Sequence, residues 1–304
     1  MGDIKLFDLS GGTVRELAGR SMAIEKSLQT LIEQHLEAFL GIRFLATEHV
    51  TGKTHGGRID TLGLDENGFP VIIEYKRSMN ENVINQGLYY MDWLLDHRAE
   101  FELLVMKQFG KPESDRIDWR YPRLLCIAGD FTRYDEHAVL QIDRNVELIR
   151  YQYFDDKLLL LELVNSVVVQ PVKEKSAPAA KADTPAANKP TTTTYKTVSD
   201  YLNQAPQSLK DLYGLVEAFA VSLGDGVQKK EMKQYHAFTR LKNFLCIIVH
   251  PREHRLVLRV KIDPDTVTLE PGFTADGRRF RDGIGDLEIR IYDADGFERA
   301  KPYI

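Results

Sequence analysis

At 304 residues, 43% hydrophobic and 28% charged, with a formal net charge of −5, the chain has the composition of a globular protein long enough for two domains. The length excludes a miniature fold that depends on disulfides or structural zinc, and the charge excludes a strongly basic nucleic-acid footprint. No apolar run reaches the roughly 18 residues that a membrane-spanning helix needs.

The opening stretch, MGDIKLFDLSGG, has no basic start followed by an apolar core, so no secretory signal and a cytoplasmic location are expected. Glu25 to Leu40 carries Leu28, Leu31, Ile32, Leu36, Phe39 and Leu40 on one helical face, and Gly41 follows as a stop. Arg43 to Val50 reads as a strand. Gly57 to Leu64 is a second strand, closed by the turn Asp65-Glu66-Asn67-Gly68, and Val71 to Lys76 is a strongly apolar third. The last two form a predicted β-hairpin. Asn80 to about Lys107 predicts a long helix, with Val83, Ile84, Leu88, Met91, Leu94 and Leu95 at helical spacing. Arg123 to Ala128 predicts a central strand, Ala138 to Arg144 a helix and Val146 to Phe154 a strand. The order α-β-β-β-α-β-α-β implies an α+β fold, a mixed β-sheet flanked by helices.

Residues 171–196, rich in Pro, Ala, Thr and Lys, hold too little apolar bulk to offset the entropy of ordering and predict a flexible linker. They separate a first domain, 1–170, from a small α+β domain, 197–304. In the latter, Val198–Leu202 and Ser208–Leu223 read as helices, and Phe244–Val249, Leu256–Ile262 and Leu287–Tyr292 as strands. Residues 1–170 hold 19 Lys and Arg against 27 Asp and Glu, a net of −8. Cys126 and Cys246 sit far apart in apolar runs and read as buried thiols.

Three ionisable residues stand out in the hairpin. Side chains two apart on a strand share a face, so Glu74 and Lys76 project together while Val71, Ile73 and Tyr75 face the other way. Asp60 lies on the neighbouring strand, 14 residues earlier, where a short turn can set it beside Glu74. Two adjacent carboxylates repel unless a cation lies between them, and hard oxygen ligands suit Mg²⁺ or Mn²⁺. A lysine beside that ion can stabilise developing negative charge or help activate a water, as phosphodiester hydrolysis requires. Gln86 and Tyr90, four apart on the next helix, share a face. Gln86 can position a phosphate oxygen or water, and Tyr90 can donate a hydrogen bond. Glu25, Glu33 and Glu37 on the first helix are further carboxylates.

Gly57-Arg58-Ile59-Asp60, then Glu74-Tyr75-Lys76, then Gln86-Gly87-Leu88-Tyr89-Tyr90 together resemble the PD-(D/E)XK nuclease superfamily, in the branch with a Gln-x-x-x-Tyr motif shared by RecB-type and NucS-like endonuclease domains. The resemblance covers about Glu25 to Trp93. It implies a restriction-endonuclease-like core and a Mg²⁺- or Mn²⁺-dependent deoxyribonuclease acting in DNA repair or defence. It further implies that Asp60, Glu74 and the Tyr75 carbonyl hold the metal, that Lys76 assists the attacking water, that Gln86 and Tyr90 shape the site, and that Glu25, or else Glu33, completes it. DNA is the implied partner and a homodimer is allowed. The tail resembles C-terminal domains of the DUF5655 type, which implies no chemistry.

The plainer alternatives are a cross-strand ion pair on a solvated sheet face for Asp60, Glu74 and Lys76, an ordinary amphipathic helix for Gln86 and Tyr90, and surface positions for His35, His49, His55 and His97. His250-x-x-x-His254 resembles a metal pair only if helical, and Pro251 intervenes. Arg278-Arg279-Phe280-Arg281 could contact phosphate, but Asp276, Asp282 and Asp286 dilute its charge. At the level of the whole protein, the net of −8 motivates a module that binds nucleic acid or protein without cleaving.

Overall fold

The computed structural model describes residues 4–10, 12–21, 25–52, 56–76, 83–155, 157–166, 197–224, 226–280 and 284–304. The expected linker at 171–196, the expected helix start at Asn80, and Gly11, His55, Arg281 and Asp282 lie outside the described residues. The chain divides into two compact units, 1–170 and 171–304.

The first unit runs β1 (Leu6–Asp8), β2 (Arg15–Leu17), β3 (Gly19–Arg20), α1 (Glu25–Gln34), α2 (Leu36–Leu40), β4 (Ile42–Val50), β5 (Arg58–Asp65), β6 (Pro70–Lys76), α3 (Val83–Asp96), α4 (Arg98–Phe109), α5 (Lys111–Ser114), β7 (Arg123–Ala128), α6 (Arg133–Leu140), β8 (Asn145–Phe154) and β9 (Leu158–Ser166). Seven strands form one sheet in the order β3-β8-β7-β6-β5-β4, with β9 also paired to β8. The stretch β4-β5-β6 is antiparallel, β6, β7 and β8 are parallel, and β9 returns antiparallel along β8. Every residue of β7 is buried, as its unbroken apolar run and its central parallel position require. α3 packs on β6 and β7, and α1 packs on β5 and β6. This mixed sheet with helices is the α+β architecture that the alternating patterns predict.

The β5–β6 turn is built by Asp65, whose Oδ1 accepts the N–H groups of Asn67 and Phe69, both at 2.9 Å. Gly68 follows at φ 84°, where a side chain would be strained. Other expectations need correction. The helix expected over Glu25–Leu40 is two helices that break at His35, and Gly41 ends the second at φ 64°. The helix expected up to Lys107 breaks at His97, which leaves helical dihedrals at φ −114° and ψ 36°. Its ring stacks on Trp93 at 5.0 Å and its Nδ1 lies 2.9 Å from the Trp93 carbonyl. Apolar spacing continues through both breaks, so periodicity cannot reveal them. The helix expected at 138–144 starts instead at Arg133, because Thr132 and Asp135 form a capping box there. β1, β2, β3 and β9 had no counterpart among the expected elements. His49 and His97 are not plain surface residues, since their rings lie 5.1 and 5.0 Å from Trp93.

The second unit holds α7 (Val198–Asn203), α8 (Gln207–Ser222), β10 (Gln228–Glu231), β11 (His236–Thr239), β12 (Asn243–His250), β13 (Arg255–Val260), β14 (Thr274–Asp276), β15 (Leu287–Ile291) and α9 (Ala294–Ala300). Its sheet is antiparallel in the order β10-β11-β12-β13-β15-β14. Leu209, Leu212 and Val216 of α8 are buried in one cluster with Leu245, Ile247, Leu256, Leu258 and Ile289 of the sheet. His250 and His254 flank a short 3-10 turn with His254 at φ 51°, so they make no helical pair. Arg278 is bonded to Asp263, Asp265 and Asp276. Cys126 and Cys246 are both buried and free. No described helix is long and apolar enough to cross a membrane.

Candidate active site

The β5–β6 ladder runs from Leu64↔Pro70 to Thr61↔Ile73 and stops there. One step further, side chains replace the main chain. The Asp60 N–H donates to Glu74 Oε1 at 3.2 Å, and the Tyr75 N–H donates to Asp60 Oδ2 at 3.0 Å. β6 itself continues beside β7 as far as Lys76↔Ala128. The two carboxylates therefore fill the gap where β5 parts from β6.

Glu74 is fully buried, and its Oε2 has no hydrogen-bond partner. Burial first, and then the charge of Asp60, pushes the Glu74 carboxyl up to about 9. Burial also raises Asp60, against the opposing Tyr75 N–H bond and the Lys76 charge. An orphaned carboxylate oxygen with a second acid beside it is the donor set a hard divalent cation satisfies, so the residues fit Mg²⁺ or Mn²⁺. Among the described residues, no three His, Cys, Asp or Glu side chains gather into one metal-binding group. Asp60 and Glu74 meet, whereas Glu25 Oε1 lies 3.5 Å from Lys76 Nζ.

Glu33 is engaged elsewhere. Its Oε1 accepts from Thr61 Oγ1 at 2.6 Å and from Gln29 Nε2 at 3.0 Å. The Tyr75 ring is buried on that side, with its hydroxyl 3.4 Å from Thr61 Oγ1, and burial holds its phenol above the usual range. Only the main chain of Tyr75 belongs to the carboxylate pair.

Gln86 and Tyr90 meet on α3. The Tyr90 hydroxyl oxygen accepts from Gln86 Nε2 at 3.4 Å and from the Arg58 N–H at 3.1 Å. The phenol keeps its own proton to donate. Its ring lies directly over Gly57, where a Cβ would come within 2.5 Å of Tyr90 Cε1. Gly87 has a similar reason, since a Cβ there would meet Leu124 Cδ1 of β7 at 2.5 Å. The glycines of both motifs thus let α3 seat closely on the sheet and brace β5 two residues before Asp60.

Sequence reasoning missed Gln29 and Glu48. Glu48, at φ 52° within β4, takes Lys26 Nζ at 2.7 Å and Arg58 Nε at 2.5 Å. No periodic signal marks it. Gln29 does have one, since Glu25, Gln29 and Glu33 are spaced by four.

The second unit is similar to DUF5655, a domain family of unknown function, over residues 198–287. An uncharacterised protein of Haemophilus influenzae is 25% identical over 298 residues, covering 95% of this chain and 94% of that one. Among solved structures, a repair endonuclease from Pyrococcus abyssi aligns with 44% of this chain and 49% of its own, at 18% identity and a TM-score of 0.29. A complex of EndoMS with double-stranded DNA aligns with 43% and 47%, at 19% identity and a TM-score of 0.26. The aligned part spans about half the length of either solved chain.

Proposed function

We propose that residues 1–170 form a metal-dependent deoxyribonuclease domain that hydrolyses phosphodiester bonds in DNA. One observation carries this reading: the buried Glu74 oxygen without a partner, set against Asp60 and on the same strand face as Lys76. The order of the three short motifs supports DNA as the substrate.

Asp60, Glu74 and the Tyr75 carbonyl would hold Mg²⁺ or Mn²⁺, with Glu25, now beside Lys76, as the further carboxylate. Bound there, the ion would supply positive charge at the phosphate oxygens, several kcal/mol of transition-state stabilisation in order of magnitude. Lys76 orients the attacking water and offsets the charge that develops as the new P–O bond forms. With its side chain 14% exposed, its amine is held in a low-dielectric setting where that charge counts for more. Gln86 and Tyr90 support the substrate and keep β5 in place.

The test is cleavage of single-stranded, branched and duplex DNA with Mg²⁺ or Mn²⁺, alongside Lys76→Ala and Glu74→Gln. Cleavage by the wild type that both variants retain would exclude this site. Salt-dependent binding with no products under any metal would favour a binding module, which the net of −8 over residues 1–170 motivates.

A further inference from the structure

We infer that Gln29 is a positioning residue for this site, setting the height of α1 so that Asp60 and Glu25 converge on one ion; the inference rests on the metal-site reading above. α1 turns two adjacent stripes toward the sheet, each with a spacing of four. One is apolar, Leu28 and Ile32, both fully buried. The other is polar, Glu25, Gln29 and Glu33. Along this polar stripe the helix is fastened to β5 and β6 in three successive steps: Glu25 to Lys76 at 3.5 Å, Gln29 to the Asp60 carbonyl at 2.8 Å, and Glu33 to Thr61 at 2.6 Å.

The middle step is the tightest for its amide. Gln29 is 4% exposed. Its Nε2 lies 2.8 Å from the Asp60 carbonyl, 3.0 Å from Glu33 Oε1 and 3.2 Å from Thr47 Oγ1, and its Oε1 accepts from Lys26 Nζ at 3.0 Å. An apolar stripe alone lets a helix slide along a sheet at little cost, because hydrophobic contact is non-directional. A buried amide does not slide, because every broken hydrogen bond leaves a polar group without water. Gln29 thus fixes α1 against Asp60, the residue whose N–H donates to Glu74. One helical turn earlier, that placement delivers Glu25 to Lys76. Partners of metal ligands typically change metal affinity about 10–100-fold when removed.

The experiment compares wild-type protein, Gln29→Leu and Thr47→Val for Mn²⁺ affinity by calorimetry, for kcat and KM on a DNA substrate, and for thermal stability. Gln29→Leu is expected to weaken Mn²⁺ binding by about 10–100-fold and to lower kcat, with KM for DNA within about twofold of wild type. Thr47→Val, which removes a neighbouring acceptor of the same amide but leaves the Asp60 bond, is expected to keep the wild-type Mn²⁺ affinity. If Gln29→Leu does not fold, Gln29→Glu keeps the shape while turning both N–H donors into an acceptor, and the same loss is expected. A variant that loses stability yet binds Mn²⁺ like the wild type makes the contact merely structural and overturns the inference, leaving the nuclease reading intact. A wild type that takes up no Mn²⁺ overturns the metal reading and this inference together.

Discussion

β5 carries two aspartates five residues apart, and they live in opposite electrostatic worlds. Asp65, at one end, shares a buried network with Glu147 and Arg123. The guanidinium gives Nη1 to Asp65 Oδ2 at 3.0 Å, and Nε and Nη2 to Glu147 at 2.7 and 2.9 Å. Burial alone would pull Arg123 down, but Glu147 and then Asp65 hold it above its ordinary range. Asp60, at the other end and on the other face, lies against Glu74, and the Lys76 charge acts on both. Asp65 and Glu147 are buried together with the guanidinium that neutralises them, so that cluster is finished as it stands. Glu74 is buried beside a half-buried Asp60, and one of its oxygens has no partner, the opening that the proposed metal would fill.

The largest expected effect breaks the finished cluster. Arg123→Met leaves Asp65 and Glu147 buried and uncompensated, so it is expected to destabilise the first unit by about 3–5 kcal/mol. Urea denaturation of the full chain measures it, and a loss below about 1 kcal/mol would mean that the network contributes little. At the other end the expectation reverses. Glu74→Gln replaces an acid that burial keeps protonated at neutral pH, so the variant should lose no stability there and should gain it relative to the wild type. Cleavage should fall by about 10³-fold, the several kcal/mol that a bound ion supplies. A Glu74→Gln protein that unfolds as readily as Arg123→Met would erase the distinction between the ends.

How far this was legible in the sequence follows the same division. The β5–β6 hairpin and the two-residue alternation are local, so the shared face of Glu74 and Lys76 can be read directly from Ile72-Ile73-Glu74-Tyr75-Lys76. The Asp65 turn is read as easily. What cannot be read is where the ladder stops. Thr61↔Ile73 is its last pair because carboxylates take the next two N–H groups, and nothing in β-propensity distinguishes that from continued pairing. Arg123 was equally hidden, since it joins residues 58 and 24 positions away that follow no period. Gln29 carries no charge, so it shows only through its four-residue spacing between Glu25 and Glu33. The breaks at His35 and His97 are set by local dihedrals, to which apolar spacing is blind.

A smaller effect should sharpen the contrast at the site itself. Gly57→Ala places a methyl 2.5 Å from Tyr90 Cε1, and Tyr90 is only 6% exposed, so the ring or the strand must move. The stability cost is expected to be about 1–3 kcal/mol, as for other overpacked sites. Because the hydroxyl on that ring accepts the Arg58 N–H, cleavage should fall as well. Thermal melts read beside turnover check this. Unaltered turnover would show that Tyr90 braces the fold and not the site.

The smallest effect per step is the most diagnostic, because it comes from one proton. Glu74 has an ordinary value of 4.5 and is held near 9 in the folded, metal-free protein. Between those values the folded state keeps a proton that the unfolded chain has released. The native state binds more protons, so stability is fully present below about pH 4.5 and declines as pH rises toward 9. One proton gives a slope of at most about 1.4 kcal/mol per pH unit. Burial shifts Asp60 the same way and adds to the slope. The difference between wild type and Glu74→Gln, measured by denaturation in chelator from pH 5 to 9, isolates the Glu74 part. The wild type should lose stability relative to the variant as pH rises. Saturating Mn²⁺ should remove the wild type's loss with rising pH, since binding requires the proton to leave, and for the same reason Mn²⁺ affinity should climb up to about tenfold per pH unit over this range. Parallel curves for the two proteins without metal would mean that Glu74 is already ionised and compensated, and the contrast between the two ends of β5 would vanish.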